Sequence, residues 1–270
     1  MIRVELVKML RRPRTWVVVG MLVALPTLVA VLLALTDVAP GPGEGPPFLS
    51  SVLSDGTLFP LAALGVVLPL FLPIAVSVLG GDALAGERAS GTLHYLLVRP
   101  VSRTRLLVAK LVTVVAFVLL AVVVVAAVSY VEGRLLLGRA PATGTVSLSG
   151  STLTPQELAG RTALALTYVI VSMLGVAAIA LFLSTVSSSS IGAALGTIGI
   201  LIASTVLLGL DAAEAVHPFL LTRWWLSFVD LFRDPILWDG VLRGLAVQLS
   251  YLVVFALAAW ANFSTQDVDD

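Results

Sequence analysis

Six long runs of apolar residues, separated by short polar segments, dominate the hydropathy pattern of the chain. A transmembrane helix needs about 20 mostly apolar residues, and each run is long enough to supply one. The pattern predicts an all-α integral membrane protein with six transmembrane helices and a single membrane domain over residues 1–270. The predicted spans are approximately Trp16–Leu35, Leu58–Leu79, Leu106–Tyr130, Thr162–Val186, Ile191–Leu210 and Val241–Asn262.

Basic residues are concentrated before the first span and in residues 81–106, between the second and third spans. Most acidic residues lie in segments 36–57, 131–161 and 211–240. Because loops rich in Lys and Arg stay in the cytoplasm, both termini and residues 81–106 are expected to be cytoplasmic. The abundance of Ala, Val, Leu and Gly with very few Lys is typical of GC-rich bacteria, so the bacterial plasma membrane is the expected location.

Residues 1–14 have the periodicity of an amphipathic helix. Ile2, Leu6 and Met9 fall at helical spacing, with basic residues between them. This pattern predicts an interfacial helix lying in the membrane surface, which Pro13 would end. An ordinary basic flank is the alternative. A cleaved signal peptide is a further reading, but the apolar run after residue 14 is longer than the usual 7–15 residues.

Local residue types predict the shape of two helices. Pro60, Pro69 and Pro73 all fall in the second span, and because each removes a backbone donor we expect a kink there. Thr154-Pro155 followed by Glu157 has the arrangement of a helix start, with Thr154 as the cap.

Composition excludes several classes of function. The predicted spans hold no acidic residue, Arg or Lys away from their ends, so a proton- or ion-coupled pump is disfavoured. There is no cysteine, no catalytic or metal-ligand spacing around the two histidines, and no phosphate-binding GxxxxGK[ST] loop. A net charge of zero gives no support for nucleic-acid binding. The chain is therefore expected not to be an enzyme, and any energy for transport must come from a partner.

Residues 80–110 carry more charge and more turn signals than a passive connection needs. The second span is expected to end at Gly80-Gly81, with Asp82 capping a new helix after it. A short amphipathic helix is predicted at Ser90–Val98. Arg99-Pro100 would stop this helix, and Ser102 is placed to cap the third span. Such a helix, held between two spans, suits a docking surface.

This stretch, "GERASGTLHYLLVRPVSRTRLLVAK", resembles the corresponding loop of the permease subunits of type-2 ABC exporters. The N-terminal "ELVKMLRRPRTW" and the six-span layout are also similar to that family, although the chain ends in "NFSTQDVDD", without the basic residues common there. The resemblance implies a coupling helix that contacts an ATPase. The implied coupling residues are Glu87, Arg88, Gly91, Thr92, Leu93, Leu96, Leu97, Pro100, Val101, Ser102 and Arg103, and Lys110 at the next span also matches.

The resemblance also implies the partners. Two copies of the chain, or this chain and a related permease, would line a pathway in the lipid bilayer above two ABC ATPase subunits. ATP and Mg would be bound by those subunits, and this chain would carry no cofactor. The apolar spans favour a hydrophobic or amphipathic substrate. The alternative is a membrane subunit that does not transport but transmits force from a cytoplasmic ATPase to an external partner.

The segment 211–240 is the second distinctive stretch. It clusters aromatic residues among charges, including Trp224, Trp225, Phe228 and Phe232. Tryptophans of this kind are typical of a membrane interface. We expect a re-entrant or amphipathic external segment, and the alternative is that these four aromatic residues form an external gate for a lipophilic substrate.

Overall fold

A computed structural model describes residues 1–36, 38, 40–41, 44–89, 91, 102–138 and 145–265, without the side chains of residues 145 and 146. In this part of the chain the fold is almost entirely helical. The α-helices are α1 Ile2–Arg11, α2 Pro13–Thr36, α3 Phe59–Val67, α4 Phe71–Ala89, α5 Arg103–Leu136, α6 Pro155–Val186, α7 Ser190–Leu208 and α8 Trp238–Thr265. Four 3₁₀ helices, Leu49–Ser51, Gly56–Leu58, Asp211–Phe219 and Leu221–Phe232, and a hairpin of strands β1 Thr145–Val146 and β2 Thr152–Leu153 complete it.

Among the described residues, the five helices α2, α5, α6, α7 and α8 are long and apolar enough to cross a membrane. Residues Gly56–Val67 and Phe71–Ala89 form a bent pair that supplies a sixth crossing if it acts as one span. The chain is therefore a multi-pass membrane protein. The predicted all-α architecture is confirmed at this level, by the length and composition of its helices.

The bend in the second span follows from its prolines. The second span is bent by 59° between α3 and α4, and Pro69 lies in the three-residue break that separates these helices. Pro60 and Pro73 fall in the first turns of α3 and α4, where the missing backbone donor would be unpaired in any helix. The predicted kink is thus present, and Pro69 accounts for its position.

The predicted end of this span at Gly80-Gly81 is wrong, because α4 continues without a break to Ala89. The two glycines serve helix packing instead. A Cβ atom on Gly80 would lie 2.6 Å from that of Ala180 in α6, and one on Gly81 would lie 2.8 Å from the backbone nitrogen of Ala194 in α7. The tertiary contacts they permit outweigh the low helix propensity of glycine.

α6 is the central helix of the bundle. Two thirds (67%) of its most apolar window is buried, against 17% for α8. α4, α5, α7 and α8 all pack against it. Val169, Met173, Val176 and Ile179 are fully buried along its length. The exposed apolar faces of the outer helices are those that a bilayer would cover.

The bundle has two different ends. One of them, which we call the charged end, is formed by α1, the end of α4, the start of α5 and the end of α8. At the other, the far end, the β-hairpin contacts the 3₁₀ helix Leu221–Phe232 through a hydrogen bond from Leu148 N to Phe232 O of 3.1 Å. α6 begins at this end with the predicted capping box of Thr154 and Glu157, which is confirmed.

Candidate functional site

Four ionic side chains from three helices meet at the charged end, and we call them the ionic cluster: Glu5 and Lys8 of α1, Glu87 of α4 and Lys110 of α5. Lys110 Nζ is 2.7 Å from Glu5 Oε2 and also forms an ion pair with Glu87 Oε1. Lys8 Nζ approaches the same Glu87 oxygen at 2.6 Å. The cluster therefore joins helices that are separated by up to 105 residues in the sequence.

Burial makes this cluster energetically demanding. The side chains of Lys110 and Glu87 are each 4% exposed, and that of Glu5 is 10% exposed. The two carboxylates and two ammonium groups sum to zero formal charge, and the side chain of Lys8 is the most exposed of the four, at 37%. A buried charge that loses its partner costs about 3–5 kcal/mol. The arrangement of α1, α4 and α5 is therefore strongly specified by these four residues.

Asp82 forms a second ionic contact beside the cluster. Its carboxylate pairs with Arg14, at the start of α2, and lies 3.2 Å from Arg12 Nη1. The prediction that Asp82 caps a new helix is wrong, because Asp82 lies inside α4. A small cavity of about 50 Å³ lies between these groups, and it is bounded by Glu5, Lys8, Asp82, Glu87 and Lys110 among others.

Two arginines on either side of residues 92–101 bind the carboxyl ends of other helices. Arg88 donates to the carbonyl oxygens of Ser187 (2.9 Å) and Thr185 (3.3 Å) at the end of α6. Arg103 donates to the carbonyl oxygens of Ser264 (3.1 Å) and Phe263 (3.3 Å) at the end of α8. Helix carboxyl ends carry unpaired carbonyls and partial negative charge, so arginine stabilises them.

Ser184 of α6 inserts its hydroxyl into the backbone of α4. The oxygen accepts hydrogen bonds from the amides of Leu84 and Ala85, each at 2.9 Å, and donates to the carbonyl of Gly81 at 2.8 Å. The side chain is fully buried. The last two turns of α4 are thereby bound to the end of α6, through Ser184 on one side and Arg88 on the other.

The coupling residues implied by the resemblance divide into two groups. Thr92, Leu93, Leu96, Leu97, Pro100 and Val101 lie outside the described residues. The predicted helix Ser90–Val98 also lies outside them except for Gly91, whose φ angle of +67° is not helical, so the predicted start at Ser90 is wrong. Glu87, Arg88 and Arg103 make the contacts given above. Ser102 caps α5 as predicted, since its hydroxyl accepts from the amide of Arg105 at 3.3 Å.

Gly91 has a structural role that explains its residue type. Its φ angle is +67°, and its amide donates to the carbonyl of Arg88 at 3.0 Å. This is the left-handed conformation that occurs after many helix ends and that glycine adopts without strain. Gly91 therefore terminates α4 directly before the segment assigned to coupling.

The four aromatic residues predicted for an interface or gate lie in the 3₁₀ helix Leu221–Phe232. Trp225, Phe228 and Phe232 are buried, with Phe228 fully so, and Trp224 is half-buried. The ring of Phe232 packs edge-on against Phe48 at 5.0 Å. We call the two 3₁₀ helices Asp211–Phe219 and Leu221–Phe232 the far-end cap.

Hydrogen bonds from the membrane helices hold the far-end cap in place. Tyr168 of α6 donates to the carbonyl of Trp224 at 2.6 Å, and the amide of Gln248 in α8 donates to the carbonyl of Leu221 at 2.9 Å. Arg161 of α6 donates to the carbonyl of Arg233 at 2.8 Å. Backbone carbonyls of an irregular segment need such partners when they lie near a bilayer.

Sequence reasoning misses several of these contacts. Glu5, Lys8, Glu87 and Lys110 each match a family pattern, but nothing in the sequence pairs them. Glu132 falls outside the predicted third span, whereas it lies within α5 and its carboxylate accepts from Thr27 of α2 at 2.5 Å. Ser184 carries no signal beyond its position near the end of an apolar run.

The described residues contain no group of three or more His, Asp or Glu that could hold a metal ion. Their geometry is that of a multi-pass membrane protein with an ion-paired junction at one end and a folded cap at the other. The chain belongs to DUF2705, a family of proteins of unknown function, whose profile matches residues 47–268. No curated protein matches the chain in sequence.

Proposed function

We propose that this chain is the membrane subunit of an ATP-driven exporter, with its charged end in the cytoplasm of a bacterium. Residues 90–101 would contact separate ABC ATPase subunits, which bind ATP and Mg. The resemblance of residues 86–110 to type-2 ABC permeases motivates the proposal. The contacts on both sides of that segment support it physically.

The observation that carries the proposal is the way the two ends of this segment are held. Glu87 and Arg88 precede it and bind α1, α5 and the end of α6. Arg103 and Lys110 come after it and bind the end of α8 and α1. A force applied to residues 90–101 would therefore reach five helices through short polar contacts. A passive connection between two spans needs no such contacts.

Because the second span is bent at Pro69, a force on α4 would change the arrangement of the helices inside the membrane. The last turns of α4 are bound to α6, whereas α3 is separated from α4 by the break at residues 68–70. A displacement of α4 would change its tilt relative to α3, which packs against α5. Closure of the ATPase subunits would in this way alter a pathway between two copies of the chain, or between this chain and a related permease.

The substrate class follows from the lining that such a pathway can have. The spans are predominantly apolar and hold few ionic side chains away from their ends, so the wall of a pathway between them would be mostly apolar. A hydrophobic or amphipathic substrate fits this surface. Polar contacts to such a substrate would come from hydroxyl and amide groups.

Co-purification with the ABC ATPase encoded beside this chain tests the proposal. The full chain is solubilised in detergent and compared with a Leu93→Asp/Leu97→Asp variant, which removes the predicted apolar contact of the coupling segment. We expect the wild type to retain ATPase activity and the variant to lose it. Leu148→Asp is the control, because it adds an acidic side chain at an exposed leucine of the far end. Equal ATPase retention by wild type and the double variant would exclude this mode of coupling.

A force-transmitting subunit is the second candidate. It is favoured by the folded far-end cap, whose Val216 and Phe219 are 44% and 68% exposed. Such a subunit would bind its ATPase in the same way but would move no substrate. In proteoliposomes containing both subunits, ATP-dependent transport of an amphipathic dye supports the exporter. ATPase coupling without transport, together with loss of an external partner in Phe219→Ser, supports the alternative.

A further inference from the structure

A lateral apolar cleft lies near the charged end, between α5, α6 and α8. Its volume is about 190 Å³. The side chains that line it include Leu107 and Leu111 of α5, Leu181 of α6, and Ala256, Leu257 and Trp260 of α8. Leu257, at 59% exposure, stands at the mouth, so the cleft opens away from the bundle. No acidic side chain contributes to its wall as the structure describes it.

The size and lining of the cleft select an apolar occupant. A cavity of about 150 Å³ with leucine-like walls stays free of water and binds small hydrocarbons. In a membrane protein, the hydrocarbon next to an outward-facing cleft is the acyl chain of a lipid. The wall runs from Thr104 to Leu111, which is about 10 Å along a helix that rises about 1.5 Å per residue. This length suits the part of an acyl chain nearest its headgroup.

The edge of the cleft nearest the charged end carries residue types that prefer the headgroup layer of a bilayer. The indole of Trp260 donates to the hydroxyl of Thr104 at 2.9 Å, and Trp260 is half exposed. Tryptophan prefers the level of the lipid headgroups, so this pair marks the depth at which a bound lipid would place its phosphate. Arg105, directly after Thr104, is exposed and lies beside the cleft, outside the residues that line it. A guanidinium group pairs well with a phosphate in two parallel hydrogen bonds.

We propose that this cleft binds one acyl chain of an anionic phospholipid, whose headgroup phosphate pairs with Arg105. The bound lipid fills the space between α5 and α8, which are otherwise joined at the charged end by Arg103 and Trp260. The binding site does not depend on the proposed transport function. It requires only that the chain lies in a bilayer with its charged end at a headgroup layer.

Quenching of Trp260 fluorescence by brominated lipids tests the site. The purified full chain is placed in phosphatidylcholine vesicles containing increasing fractions of brominated phosphatidylglycerol, and a second series uses brominated phosphatidylcholine. Subtracting the Trp260→Phe signal isolates Trp260. We expect half-quenching at an about fivefold lower fraction of the anionic lipid, as one basic residue at an anionic surface predicts. Arg105→Gln should bring the two curves together.

Two substitutions in α8 separate the cleft from the general lipid surface. Ala256→Phe fills the cleft and should abolish the preference, and Ala256→Leu should weaken it. Ala246→Phe adds the same bulk at an exposed position of the same helix and should change nothing. Arg3→Gln removes an exposed charge from α1 and should also change nothing. Circular dichroism confirms that each variant is folded.

Four results would overturn the proposal. Equal quenching by both lipids in the wild type would show ordinary surrounding lipid. A preference that survives Ala256→Phe would place the lipid elsewhere, and an equal effect of Arg3→Gln and Arg105→Gln would show general surface charge. If the wild type showed no preference but a chain ending at Thr265 did, the acidic residues Asp267, Asp269 and Asp270 would be the partners of Arg105 in the full chain instead.

Discussion

Lys110 is the residue on which the junction of three helices depends, because it binds carboxylates from both α1 and α4. We expect Lys110→Met to reduce the free energy of unfolding by about 3–5 kcal/mol, since Glu5 would be left buried without its ion-pair partner and Glu87 would keep only Lys8. Unfolding in mixed detergent micelles, followed by tryptophan fluorescence, measures this loss.

The matched control replaces the three buried charges by neutral groups of similar shape and leaves Lys8, whose side chain is 37% exposed. Lys110→Met combined with Glu5→Gln and Glu87→Gln should recover most of the lost stability, because polar groups without charge are less costly to bury. If the triple variant is as unstable as the single one, the loss comes from the shape of Lys110, and the electrostatic account is wrong.

Gly91 has a structural role in addition to the one that the family resemblance implies. The resemblance assigns Gly91 to coupling, and its φ angle of +67° shows that it also ends α4. We expect Gly91→Ala to cost about 1 kcal/mol, because a side chain is strained in this conformation. Gly91→Asn should cost less. Hydrogen exchange at Ala85 and Arg88 would report the loss as faster opening of the end of α4, and unchanged exchange would contradict it.

At the scale of elements, the contact between α4 and α6 is the most specific in the bundle. The hydroxyl of Ser184 uses its one hydrogen and both lone pairs on the backbone of α4. Ser184→Ala would leave these buried backbone groups with fewer partners, and we expect a loss of about 1–3 kcal/mol in the free energy of unfolding. Ser250→Ala is the control, because Ser250 is exposed and donates within its own helix. Equal stability of both variants would show that α4 closes its own hydrogen bonds.

The same helix shows where sequence patterns succeed and where they fail. Proline acts on its own backbone, so a bend in the second span could be predicted from its three prolines, although its position at Pro69 could not. Glycine, in contrast, is compatible both with the end of a helix and with a close contact between two helices. At Gly80 and Gly81 the outcome depends on Ala180 and Ala194, which lie far away along the chain. Local sequence does not encode such a choice.

At the scale of the whole molecule, apolar run lengths are sufficient to predict the layout of the bundle. Each span must satisfy its own backbone in lipid, so composition alone identifies it. The predicted spans coincide with the observed helices or, for the second, with the bent pair, and only the fifth extends past its helix, which ends at Leu208. The ionic cluster could not be predicted in this way. Glu5, Glu87 and Lys110 come together only when α1, α4 and α5 are packed, and their pairing depends on tertiary contacts.

The absence of cysteine allows the orientation of the whole molecule to be measured with single introduced thiols. Arg3→Cys and Thr265→Cys lie at the charged end, and Gln156→Cys and Glu214→Cys lie at the far end, all at exposed positions. In intact cells, a membrane-impermeant maleimide should label Gln156→Cys and Glu214→Cys at once. Arg3→Cys and Thr265→Cys should react only after lysis, because loops rich in Lys and Arg stay in the cytoplasm. Labelling of Arg3→Cys and Thr265→Cys on opposite sides would contradict the observed bundle. Labelling of both from outside would agree with the bundle but would put residues 90–101 on the outer side of the membrane. Because ATP is cytoplasmic, this result would exclude the proposed function.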